Sequence, residues 1–229
     1  MELIVTFNRI AGPVASICMY VFSVAVAMPI AAAPSAAGAR PAQAQKDAAV
    51  QFDIASGTKA TYRVREQLAG LNFPDDAIGS TEGVTGTLVL LPDGTFDAAK
   101  SKLTFDLKAL KSDQDMRDGY VQARTLETDK FPTAEFVPHK LQGVPSPLPA
   151  PDRPTGQSGF QLTGDLTVHG VTKEVTLNGY ATFSKDLVAG RALTSFTFAT
   201  FGLTKPSLAR LLRVDDKIDL DIQFRLKRN

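Results

Sequence analysis

The sequence predicts an all-β, antiparallel fold of about eight strands with one or two short helices. Three observations carry this expectation. Apolar side chains recur at every second position through most of the chain beyond residue 48, the mark of a strand with one buried face. Gly-containing turn signals separate those runs, and helical patterning is confined to two short stretches. At 229 residues, 44% of them apolar, the chain can bury one sizeable core and is not generally disordered. An antiparallel sheet of this many strands removes its edges by closing into a barrel or stacking as a sandwich.

Taken in order, residues 1–44 read as a signal peptide with an Ala-rich leader. Arg9 precedes a charge-free, largely apolar run over residues 10–33. Small-x-small cleavage sites stand at Ala25-Val26-Ala27 and Ala42-Gln43-Ala44. The alternative is an uncleaved inner-membrane anchor, since the run is long for a signal peptide, although Pro13 and Pro29 interrupt it. Cys18, the single cysteine, lies inside this run. Removing 1–44 takes away Glu2, Arg9 and Arg40 and leaves 23 basic against 23 acidic side chains. This balance argues against a nucleic-acid footprint, which normally needs a clustered basic excess.

Residues 48–229 form one predicted domain. Strands are expected near 50–54, 58–68, 83–91, 95–109, 133–141, 158–168, 171–183 and 192–200, with 216–227 as a ninth. The C-terminal run is the clearest: Ile218, Leu220, Ile222, Phe224 and Leu226 alternate with Asp219, Asp221, Gln223, Arg225 and Lys227. Pro92-Asp93-Gly94, His169-Gly170 and Ala189-Gly190 are the expected hairpin turns. Residues 112–127 and 203–213, the latter opening at Pro206, are the expected short helices. Residues 143–156 hold five prolines and are expected as a protruding loop.

No hydrolase elbow, phosphate-binding loop or His-Glu-x-x-His motif occurs, so neither a catalytic site nor a cofactor or metal site is expected. His139 and His169 lack ligand-spaced partners. His169 is expected to make a structural hydrogen bond at its turn, and His139 to be a solvated strand residue. Asp215-Asp216 lacks the spaced oxygens of a calcium loop and reads as a turn or edge.

Four segments together resemble the YceI-like family of periplasmic, lipocalin-like barrels that bind polyisoprenoid lipids. They are Ser112-Asp113-Gln114-Asp115-Met116-Arg117-Asp118, Lys130-Phe131-Pro132-Thr133-Ala134-Glu135-Phe136, the decapeptide Gly164-Asp165-Leu166-Thr167-Val168-His169-Gly170-Val171-Thr172-Lys173, and Leu212-Arg213-Val214-Asp215-Asp216. The resemblance covers residues 50–227. The sequence departs from the family where Thr197 and Phe198 stand in place of a common Asn-Arg, and where aromatics are missing around Gly83-Val84-Thr85-Gly86.

The resemblance implies a lipocalin-like barrel in the periplasm, sequestering or carrying a polyisoprenoid or similar long-chain amphiphile. The cavity lining it implies is Phe105, Leu107, Phe136, Phe160, Leu166, Val168, Phe183, Phe196, Phe198, Leu220, Ile222 and Phe224. Arg117, Asp118 and His169 are the candidate mouth contacts. Arg117 and Asp118 suit either of two roles, an ion pair holding a cap over one barrel end or contact with a lipid head. Further partners admitted by this reading are a membrane, touched transiently, and a second copy of the chain in a homodimer. The competing reading is an envelope stress or protein-interaction module with a filled β core and no lipid ligand, using the 143–156 loop as its contact surface.

Overall fold

A computed structural model describes residues 49–70, 73–144, 148, 157–184, 186–207 and 211–229. The expected leader over 1–44 and most of the proline-rich loop lie outside these residues. Among the described residues no helix is long and apolar enough to cross a membrane.

The strands form a closed, eight-stave antiparallel barrel in which sequence neighbours pair throughout. Three staves are each interrupted. The first is β1 (Val50–Ile54) followed by β2 (Lys59–Leu68), both antiparallel to the last strand. The second is β3 (Asp75–Thr81) with β4 (Val84–Leu90), and the third is β5 (Lys102–Asp106) with β6 (Lys111–Ser112). The remaining five are β7 (Thr133–Gln142), β8 (Ser158–Val168), β9 (Val171–Phe183), β10 (Leu187–Thr197) and β11 (Leu211–Arg228). Pairing of β11 with both β10 and β1 closes the ring and removes the free edges an open sheet would leave.

Local chemistry explains the first interruption. Between β1 and β2, Gly57 takes a left-handed backbone with φ 83° and the chain bulges. The buried Thr58 hydroxyl bridges the gap, accepting the Arg225 amide hydrogen at 3.0 Å and lying 3.1 Å from the Arg225 carbonyl oxygen. A side chain thereby replaces the missing ladder bonds.

Several expected elements are corrected. Strand β3 was not expected, because its inward positions are Ala77, Gly79 and Thr81 and show no apolar alternation. Their smallness is required: a Cβ on Gly79 would overlap the ring of its ladder partner Tyr62. The expected turn at Ala189-Gly190 lies inside β10, where Gly190 faces Phe224, and β10 instead pairs back on β9 from Val188 opposite Phe183. No helix forms over Leu203–Ser207, and Leu211 and Leu212 already belong to β11. Two register shifts in β11 break the alternation there, and Asp215 and Asp216 fall within the second. The strand expected over 95–109 contracts to β5, and the one expected to reach residue 200 ends at Thr197 in a 3-10 turn, Phe198–Phe201.

The first expected helix is present as α1 (Asp115–Tyr120), continued by a π-helical turn over Val121–Thr125. This segment crosses one end of the barrel as a cap. The other end is filled by Phe52, Leu88, Leu90, Leu103, Phe136, Phe160, Leu177 and Phe183.

Candidate functional site

The capped end holds a partly open void of about 850 Å³. Its walls come from inward positions of β2, β3, β5, β7, β8, β10 and β11, and its roof from α1, the π-helical turn and Leu203 and Pro206. Inward residues of β9 do not reach it. The 3-10 turn packs against that strand, with Phe201 fully buried and edge-to-face with Phe196 at 4.8 Å.

Seven of the twelve residues named for the lining stand on this void: Phe105, Leu107, Leu166, Val168, Phe196, Phe198 and Leu220. The other five, Phe136, Phe160, Phe183, Ile222 and Phe224, sit in the filled end and are corrected to core. They share the inward face: Phe136 is the ladder partner of Leu166, and Ile222 and Phe224 follow Leu220 along β11. Phe160 and Phe224 meet edge-to-face at 5.9 Å within that end.

At the mouth, Arg117 projects from α1 and donates to Glu66 at 2.9 Å. Both side chains are nearly buried, 13% and 11% exposed, so the pair is shielded from solvent. Arg117 also pairs with Asp113 one helical turn earlier. Glu66 arrives by the alternation of β2, in which Ala60, Tyr62, Val64, Glu66 and Leu68 all line the void. Burial pushes the Tyr62 phenol up to about 12, against the opposing pull of nearby Arg117. It stays a neutral hydrogen-bonding group at any physiological pH.

Asp118 does not line the void. Its buried carboxylate accepts the Ser112 amide hydrogen at 2.8 Å and lies 3.7 Å from Lys111 Nζ, so it holds the start of the cap. His169 stands on the β8–β9 turn, away from the mouth, with Nε2 2.9 Å from Glu127. His139 lies on β7 between Asp165 and Glu174. Among the described residues no group of three His, Cys, Asp or Glu side chains could hold a metal.

Sequence reasoning did not single out Glu66, Tyr62, Met116 or Tyr120 as lining. The signal for Glu66 was available: a carboxylate at an inward position of an otherwise apolar stripe needs a buried partner.

A closed antiparallel barrel with one filled end and one capped, apolar void defines a lipocalin-like protein. The YceI-like domain family matches residues 52–226, and the chain belongs to that family. It is 34% identical to a UPF0312 protein of Pseudomonas putida over 142 residues, 56% of this chain and 65% of that relative, slightly under two thirds of its length. A polyisoprenoid binding domain from Saccharophagus degradans, implicated in plant cell wall breakdown, shares the fold with a TM-score of 0.58. Sequence identity is 12%, and the match covers 78% of this chain and 98% of that one. BcnA of Burkholderia cenocepacia matches with a TM-score of 0.53 at 17% identity, covering 76% and 99%.

Proposed function

We propose that this chain is an exported, periplasmic carrier that holds a polyisoprenoid or similar long-chain amphiphile inside the barrel. The void carries the reading: about 850 Å³ with mostly apolar walls, Glu66 and Arg117 being the charged side chains among its described lining residues. Such a space matches the size and character of small-molecule sites. The polyisoprenoid binding described for the Saccharophagus degradans domain supports the same cargo class. The apolar run at residues 10–33 supports export.

Hydrocarbon leaving water gains about 0.8 kcal/mol per CH₂. A chain drawn from a bilayer is already in apolar surroundings, so exchange between membrane and barrel is nearly balanced. Loading and unloading then need no energy source. The hollow end weighs against the filled-core interaction module.

Native mass spectrometry with lipid extraction, on protein recovered from the envelope of cells expressing the full chain, tests the proposal. A stoichiometric long-chain amphiphile is the expected result. Repeated recovery of the protein from the cytosol, or without lipid and with no uptake of isoprenoid analogues, would overturn it.

A further inference from the structure

The most exposed large apolar side chains are gathered at the mouth of the void. Among the described residues, Met116, Phe73 and Leu212 are 82%, 79% and 67% exposed, and the next, Leu193, falls to 43%. We propose that these three side chains form a docking surface for a lipid bilayer, which the barrel meets mouth-first. The proposal deepens the lipid-carrier reading above and rests on it.

Three separate segments bring these side chains to the end of β2. Leu212 follows Leu211, the ladder partner of Leu68, and precedes Arg213, the partner of Gln67. Phe73 stands just before Asp75, the ladder partner of Glu66. Met116 adjoins Arg117, which donates to Glu66 at 2.9 Å. All three therefore flank residues 66–68, although they come from distant parts of the chain. The rim they make is continuous with the lining, because Leu68, Ala69, Gly70, Met116 and Leu211 border the void. The other exposed large apolar side chains among the described residues lie on the outer wall opposite charged ladder partners. Ile78 faces Arg63, Tyr180 faces Arg191, and Leu193 faces Asp221. Scattered apolar residues of that kind are ordinary on a protein surface, whereas a cluster at an opening is not.

A bilayer suits this rim better than a protein partner on two counts. The rim surrounds an opening into an apolar interior, and a rigid partner seated there would seal it. Acyl chains would instead extend the apolar surroundings of the void. The exposed charges beside the rim are also of both signs, with Asp75 and Asp115 next to Phe73 and Met116, and Arg213 next to Leu212. A zwitterionic head group carries a phosphate and an ammonium and can meet both signs. Large apolar side chains flanked by polar ones would rest at the boundary between head groups and acyl chains, on the membrane and not across it.

The sequence holds no Trp, so a single introduced indole reports alone. Phe73→Trp, Met116→Trp and Leu212→Trp, with Leu193→Trp as the outer-wall comparison, are mixed with phosphatidylcholine vesicles whose acyl chains carry bromine. Each protein is the full chain recovered from the envelope, and retained lipid is read in parallel by native mass spectrometry. Emission at the three rim positions should shift to the blue and be quenched, and Leu193→Trp should show neither change. Phe73→Asp with Met116→Asp should weaken partition into the vesicles by about tenfold or more. Equal quenching at all four positions, or none at the rim, would overturn the docking surface, and retained lipid would leave the carrier reading standing. A blue shift that needs no vesicles and grows with protein concentration would assign the rim to a second copy of the chain and overturn the proposal as well. Protein that holds no lipid and takes up none would overturn the carrier reading, and the quenching pattern would then decide the docking surface alone.

Discussion

Glu127 and His169, 42 residues apart, are bonded to each other at 2.9 Å, and they are the non-glycine residues with left-handed backbones among those described, at φ 46° and 52°. His169 and Gly170, at φ 75°, form the two-residue turn between β8 and β9, where positive φ matches the twist of the flanking strands. Glu127 ends the cap. Phe131 stacks its edge on the His169 ring, with centroids 4.5 Å apart. The cap is thus tied at both ends, to β2 through Arg117–Glu66 and to the β8–β9 turn through Glu127–His169.

Replacing both Glu127 and His169 is therefore expected to cost less than the sum of the single changes. A double-mutant cycle on urea midpoints checks this. Lys130 and then His169 hold the Glu127 carboxyl below its usual range. Its contribution is fully present above about pH 4.5 and fades as pH falls through the lowered value. Glu127→Gln should accordingly flatten the acid limb of the stability profile.

Removing one member of the Arg117–Glu66 pair leaves a nearly buried charge alone. Arg117→Met or Glu66→Leu should each lower stability by about 2–4 kcal/mol, while the double change recovers most of it. Chemical denaturation of the four proteins measures the recovery. Failure to recover would show that the guanidinium holds the cap mainly through Asp113.

The raised Tyr62 pKa makes a prediction at the alkaline end. An unfolded chain releases this proton near pH 10 and the folded one near 12. Stability from the neutral phenol is complete below pH 10 and is lost as pH climbs toward 12, by on the order of 2 kcal/mol. Tyr62→Phe should remove that loss, read as a smaller difference in urea midpoint between pH 9 and 11.

Gly79 and Tyr62 form a steric pair. Gly79→Ala should destabilise by about 1–3 kcal/mol because the new methyl enters the ring's space. In a Tyr62→Ala background the same change should be nearly neutral, as thermal unfolding of the cycle would reveal.

Phe73 and Leu212 are 79% and 67% exposed, close in sequence to lining residues Gly70 and Leu211. Under the carrier reading they enter the bilayer interface during loading. Phe73→Ser with Leu212→Ser should slow prenyl-alcohol transfer from vesicles several-fold and leave the equilibrium Kd unchanged. Stopped-flow transfer kinetics separate the two quantities.

The strands that were legible in the sequence bury large side chains on one face. Residues 158–183 alternate across both strands and their turn, and β8 and β9 fall on the expected boundaries. Strand β3 was illegible because the bulk filling its inner side belongs to Tyr62 of the neighbouring stave. Period two reports which face a residue takes but not its height along the barrel. Leu220 and Phe224 are equivalent by pattern, yet one borders the void and the other packs against the core. The mouth pair joins a strand residue to a helix residue 51 positions later, and no local pattern encodes that distance.

The breaks at 55–58, 82–83 and 107–110 lie side by side on adjacent staves, because Ala60 pairs with Thr81, Val84 with Phe105 and Gly79 with Ser112. They form a crease across three of the eight staves, with β2, β3 and β6 on one side and β1, β4 and β5 on the other. Along this line turns and the Thr58 hydroxyl stand in for strand ladder bonds, so local opening of the wall costs least here.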